Sequence, residues 1–151
     1  MAGYMIAREG VTPTAGNMLL GLTTGLQEIA LIKEVRVQGE ASSAGINRMT
    51  LRRSTTNLTT PTAQTPAKKS STSPAAYTDG STTATGEPTT AASPAVLTDA
   101  LQCFGGRFQF KALDPLDAIL IQGATAGNNE VTLESTSGTN VVSCDIDFDE
   151  V

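Results

Sequence analysis

A chain of 151 residues, 39 % hydrophobic and 17 % charged, is one domain's worth of polypeptide and is poor in both large apolar groups and charge. The neutral polar remainder suits strands joined by long loops and disfavours a helical bundle, which needs Ala, Leu, Glu and Lys throughout. A net charge of −5 argues against a general nucleic-acid binder, and no run approaches the ~20 apolar residues of a membrane span.

The opening "MAGYMIAREG" lacks the apolar core of a secretory leader, and Ala2 fails the myristoylation pattern. Cys103 and Cys144 are therefore expected as free, buried thiols, and the Asn57-Leu58-Thr59 sequon as a chance match. Short strand patterns lie at 4–8 and 18–22. From Ile29 the segment "EIALIKEVRVQG" alternates, with Leu31, Val35 and Val37 sharing a face with the Lys33 stem and Glu34, Arg36 and Gln38 on the other. After the turn Ser42-Ser43-Ala44-Gly45, "INRMTLRRS" sets Met49 and Leu51 against Arg48, Thr50 and Arg52. The two segments read as a hairpin.

Between 54 and 94 the alternation stops. This stretch holds five of the seven prolines and is mostly Thr, Ser and Ala, too poor in apolar groups to offset its own ordering entropy. It is expected as an extended loop or arm, held by its own domain or by a neighbouring copy. Next, "ALQCFGGRFQFKA" carries Gly105-Gly106 between apolar runs, the signal of a two-residue hairpin loop, which would set Cys103 against Phe108 and Leu101 against Phe110. "LDPLDAILIQG" follows as a turn and a short apolar strand. In "EVTLESTSGTNVVSCDIDF" a loop at Ser137-Gly138 would pair Leu133 with Val142 and Val131 with Cys144. One face of that pair carries Val131, Leu133, Val142, Cys144, Ile146 and Phe148; the other carries Thr132, Ser143, Asp145, Asp147 and Asp149. The sum is a single all-β domain over 1–151, an antiparallel β-sandwich of jelly-roll type with eight or nine strands and one Ser/Thr/Pro/Ala-rich excursion at 54–94.

Catalytic chemistry has little to work with. The absence of histidine removes Ser-His-Asp and Cys-His pairs and every histidine metal site. No phosphate-cradling glycine motif occurs, and Lys68-Lys69 between serines reads as solvated loop charge. The comb Asp145, Asp147, Asp149 lacks the glycine of a calcium loop, and its alternation with Ile146 and Phe148 makes a straight strand whose same-face carboxylates stand ~7 Å apart. Neither a cofactor nor a metal is expected, nor an enzyme. Charge is lopsided: up to Lys111 there are ten basic and seven acidic residues (+3), and after it eight acidic and no basic ones (−8). Either the two parts cancel side by side, or the basic part of one copy meets the acidic part of the next. In the hairpin register Asp145 would lie opposite Glu130, a like-charge pair relieved by water or by Arg48, Arg52 and Arg53. Arg48, Arg52, Arg53, Lys68, Lys69, Asp145, Asp147 and Asp149 are the candidate partner-binding residues.

A Met-Ala start, a β-hairpin, a Thr/Pro/Ala excursion with "TPAKKSSTSPAA", a "DPLDAILIQ" turn and strand, and an acidic terminal strand together resemble the small jelly-roll virion proteins of tailed bacteriophages. These are capsid decoration (cement) proteins and minor head or neck components. The resemblance implies assembly in the host cytoplasm, a homo-oligomer with a trimer in first place, arms reaching across subunits, and the major capsid protein or other virion proteins as partners. The alternative is a carbohydrate- or receptor-binding module such as a fibre tip, with Tyr4, Tyr77 and Phe104 as its aromatic platform, or a neck or tail component.

Overall fold

The computed structural model describes residues 1–14, 17–25, 27–53, 62–82, 95–122 and 130–151. These residues are all-β, without a helix. In chain order the strands are β1 (Ala2–Val11), β2 (Met18–Thr23), β3 (Ile29–Glu40), β4 (Ile46–Arg53), β5 (Thr62–Gln64), β6 (Ala67–Lys68), β7 (Asp79–Thr82), β8 (Ala95–Gln102), β9 (Phe104–Lys111), β10 (Ile119–Gln122), β11 (Glu130–Ser137) and β12 (Val142–Glu150).

They form two antiparallel sheets, an arrangement consistent with a β-sandwich. The first runs β10-β3-β12-β1-β6, with β9 following β10 along the same edge of β3; the second runs β5-β7-β2-β11-β4-β8. Alternation explains the core. Tyr4 and Ile6 of β1, Val35 and Val37 of β3 and Ile146 and Phe148 of β12 point inward from one sheet; Leu20, Leu22, Met49, Leu51, Val131 and Leu133 point inward from the other. The Tyr4 and Phe148 rings stack with centroids 5.6 Å apart. Each such side chain contributes ~1.5–3 kcal/mol by leaving water.

The three expected hairpins are not hairpins. β3 and β4, β8 and β9, and β11 and β12 each lie in different sheets, so the chain crosses the core at 41–45, at Cys103 and at 138–141. Leu133 and Val142 both point into the core, as do Cys103 and Phe108, but the strands that carry them do not pair. Nor does Asp145 face Glu130; its neighbours are Arg36 and Ala7. A hairpin and a sheet-crossing corner use the same glycine-rich chemistry and leave the same residues facing inward. They differ in whether the two strands meet at ~4.8 Å within a sheet or at ~10 Å across the core.

The corners stack at one end of the sandwich and are bonded to each other. Cys103 N donates to Gly45 O (2.8 Å), Ala41 N to Cys103 O (2.9 Å) and Glu40 N to Val141 O (2.9 Å). Asn47, fully buried, joins two of them. Its Nδ2 donates to Asn140 O (2.9 Å), while its Oδ1 accepts from Asn140 N (3.2 Å) and Nδ2 (3.0 Å). Gly138 makes room for this: its φ is +87°, and a Cβ there would lie 2.3 Å from Asn47 Oδ1.

Two further differences from the sequence expectation have local causes. The pairing of β3 with β12 steps from Glu34–Asp147 to Ile32–Phe148, so Lys33 is bulged. The inward parity switches there: Ala30 and Ile32 are buried, and Leu31 turns outward, away from the face of Val35 and Val37. In the 54–94 excursion, residues 62–82 lie along their own domain, with β6 paired to β1, and β7 to β2 and β5. Residues 54–61 and 83–94 lie outside the described residues.

Replacing Asn47 by Ala strands the amide groups of Asn140 in the corner stack and should cost ~2–4 kcal/mol in urea unfolding. The exposed neighbour Thr139→Ala should change stability by less than ~0.5 kcal/mol. Equal effects would mean that the corners do not depend on the Asn47–Asn140 pair.

Candidate functional site

β12 lies between β1 and β3, so Asp145, Asp147 and Asp149 project from the middle of the first sheet's outer face. Each has its own cation. Arg36, directly across from Asp145 on β3, brings Nε to 2.9 Å from Oδ1. Lys69 meets Asp147, and Lys33, on the bulge, lies 2.9 Å from Asp149. Lys69 arrives from the end of β6, where its N–H donates to Gly3 O (2.9 Å) and its stem crosses the bare Cα of Gly3. The basic and acidic parts of the chain thus cancel side by side on this face. The hydrogen bond to Asp145 raises the Arg36 pKa further. Pairs this exposed contribute ~0–1 kcal/mol each. Among the described residues no group of three or more acids and thiols gathers as it would around a metal ion.

The other candidates are elsewhere. Arg48, Arg52 and Arg53 are on β4 in the second sheet, where Arg52 pairs with the buried Glu134. Lys68 is exposed on β6, paired in register with Tyr4. The structure therefore brings Lys69 together with the three aspartates and separates the arginines from them. Lys33 and Arg36, which complete the arrangement, belong to a strand more than a hundred residues from β12, and their spacing in the sequence carries no sign of that register.

Glu150 anchors the segment that follows β6. Its buried carboxylate accepts the N–H groups of Tyr77 and Thr78, both at 2.8 Å. The Tyr77 hydroxyl donates to Ile29 O (2.7 Å) and accepts from Val151 N (3.1 Å), while the Tyr4 hydroxyl donates to Pro74 O (3.1 Å). Burial first, and then the charge of Glu150, push both phenols above their usual pKa. With Tyr4 buried and Tyr77 engaged in this way, Phe104, 64 % exposed, is the open member of the three aromatics considered for ligand stacking.

Two surface features stand out from the paired charges. A groove of about 300 Å³ crosses β1, β12, β3 and β9 on the outer face of the first sheet, with Arg8, Arg36 and Arg107 among its lining residues. Further along the same sheet's edge, the connection 112–118 forms a tight turn. Asp114 Oδ1 accepts Leu116 N (2.7 Å) and Asp117 N (3.3 Å), and Asp114 O also accepts Asp117 N (3.1 Å). This lock holds Leu113 88 % and Leu116 94 % exposed, beside an apolar hollow of about 200 Å³ that includes Met1, Leu31 and Pro115.

Both cysteines are free and buried, and burial pushes the Cys144 thiol up to about 12. No protein-family model, curated protein or solved structure matches the chain.

Glu150→Ala should loosen residues 62–82, and trypsin should then cut at Lys68 and Lys69 at least tenfold faster than in the parent; Asp145→Ala should leave the rate within about twofold, as expected for an exposed pair. An unchanged rate in Glu150→Ala would remove the carboxylate from its anchoring role. The thiol gives a pH prediction. Unfolded Cys ionises near ~8.5, whereas folded Cys144 stays neutral to about 12, so stability is complete below the lower value and declines as pH rises above it. Urea midpoints between roughly pH 8 and 10 should fall less steeply in Cys144→Ala than in the parent chain. Equal slopes would contradict the assignment.

Proposed function

We propose that this chain is a virion structural protein: a capsid decoration (cement) protein of jelly-roll type that binds a capsid lattice as a homo-oligomer, with a trimer in first place. Its partner is the major capsid protein or another virion protein, and it is assembled in the host cytoplasm. The jelly-roll reading is supported by strand order. The run β1-β12-β3-β9 of one sheet and the run β2-β11-β4-β8 of the other correspond member by member, and each corresponding pair is consecutive in the chain. Two Greek keys wound together would have this order.

The observation that carries the assembly reading is the 112–118 turn. Leucines exposed to 88 % and 94 % on a backbone fixed by Asp114 are apolar surface prepared for burial by another molecule. A locked turn loses little entropy on docking, and several copies on one lattice multiply weak contacts. Residues 62–82 are engaged with their own domain, so among the described residues lattice contact falls to the body and this turn. The fibre-tip alternative needs a platform of stacked aromatics, and Phe104 is the exposed candidate.

The test is to mix the purified chain with tailed-phage capsids assembled without it. Co-sedimentation to saturation and a higher capsid disruption temperature are expected, with both effects reduced at least tenfold in affinity by Leu116→Ser. Binding on a glycan array, with no binding to capsids, would overturn the proposal in favour of the fibre-tip reading.

A further inference from the structure

The groove and the turn have opposite chemistry on one sheet. The groove is lined by Arg8, Arg36 and Arg107 against Glu9 and Asp145. Arg36 is taken up by Asp145, and Arg8, with the inward parity of Tyr4 and Ile6, lines the groove while its Nη1 turns to Leu19 O of the second sheet (3.1 Å), which leaves Arg107 as the groove's open cation. Arg107 is exposed, and its Nε meets the neutral Gln38 Oε1 at 2.8 Å; no described carboxylate pairs with it. Phe104 precedes it on β9, 64 % exposed, with Glu40 across from it in register as the one opposing acid there. The turn 112–118 offers the counterpart: two exposed aspartates, Asp114 and Asp117, two exposed leucines and no basic residue.

We propose that the two features bind each other between copies: the 112–118 turn of one molecule docks at the arginine groove and Phe104 of a second. Within one chain the turn stays clear of the Phe104 end of the groove. Ala112 N is tied to Lys33 O (2.8 Å), which lies seven residues, roughly 23 Å of extended strand, from Glu40 beside Phe104. Between copies, Asp117 meets Arg107, while Leu113 and Leu116 cover the Phe104 ring and the arginine stems, which are apolar along their length. Repeated head to tail about a three-fold axis, turn in groove closes a ring in which every turn and every groove is filled. The partner's carboxylates supply what Arg107 lacks among the described residues of its own chain, and this complementarity selects a second copy as the occupant. The same trend runs through the chain, +3 up to Lys111 and −8 after it.

This contact deepens the assembly reading and rests on it for its purpose, but its existence is tested on the purified chain alone. Sedimentation velocity at micromolar concentration and low salt should show a closed oligomer. Asp117→Arg and Arg107→Glu should each weaken association at least tenfold, with far-UV circular dichroism and urea midpoint unchanged. An equimolar mixture of the two variants should associate more tightly than either variant alone, because at every contact between unlike copies the reversed turn faces the reversed groove or the native turn the native groove. The double variant should also associate alone. Leu116→Ser should weaken association at every salt concentration, whereas the charge effects should fade as salt rises. A monomeric parent chain, an oligomer indifferent to these substitutions, or a mixture no better than its components would overturn the contact. Capsid co-sedimentation separates the two claims. A monomer that still binds capsids defeats this contact and spares the function; an oligomer that ignores capsids does the reverse.

Discussion

The corner stack at one end of the sandwich is the constraint from which the rest follows. At the three corners stacked there the chain leaves one sheet and enters the other, and the polar groups that these crossings bury have to be satisfied away from water. The crossings do this for one another. Cys103 exchanges bonds with the 41–45 corner, Val141 receives the N–H of Glu40, and the Asn47 amide is matched to the backbone and side chain of Asn140. An unsatisfied group there would cost about as much as several of the outer-face ion pairs are worth together. The buried amide pair therefore matters more to the body than the conspicuous aspartates.

A body closed in this way leaves its outer faces free for other uses. On the first sheet the acids of β12 are spent on Arg36, Lys69 and Lys33, which solubilises the face without directing it at anything. What remains uneven lies at the margins: the guanidinium of Arg107 beside Phe104, and the leucines held out by Asp114. The residues 62–82, tied down by Glu150, Tyr77 and Lys69, cover the β1 and β2 edges, so strand addition at those edges is blocked by the chain itself.

The strands themselves were legible. Period-two runs at 29–40, 46–53, 101–111 and 131–149 correspond to observed strands, and the side chains assigned inward at 131–148 are buried. Which sheet each strand joins was not legible, because inward-facing residues around a corner have the same pattern as those around a hairpin. Leu31 lies on the face opposite to the one its spacing indicates, because a single bulged residue, Lys33, reverses parity without any mark in composition. The comb was correctly placed on a strand's outward face, yet its three cations come from positions that adjoin it only once β3 and the 62–82 segment are seated. That segment is held by a carboxylate on backbone N–H groups and by tyrosine hydroxyls, contacts to which hydrophobic periodicity is blind. The protruding turn was read as a turn, but the exposure of its leucines depends on the Asp114 lock.

Among the described residues, none of the ten strand pairings joins strands consecutive in the chain. The central position of the first sheet belongs to β12, which a ribosome would deliver after all the others. Until it emerges, β1 and β3 have no common neighbour, and Tyr4 has no Phe148 to stack on. Topologies with so few local pairings acquire their structure slowly, since loop closure must precede any reward. The nascent polypeptide would therefore hold two apolar surfaces uncovered until β12 has been synthesised, and that half-built body is the form most open to aggregation during translation.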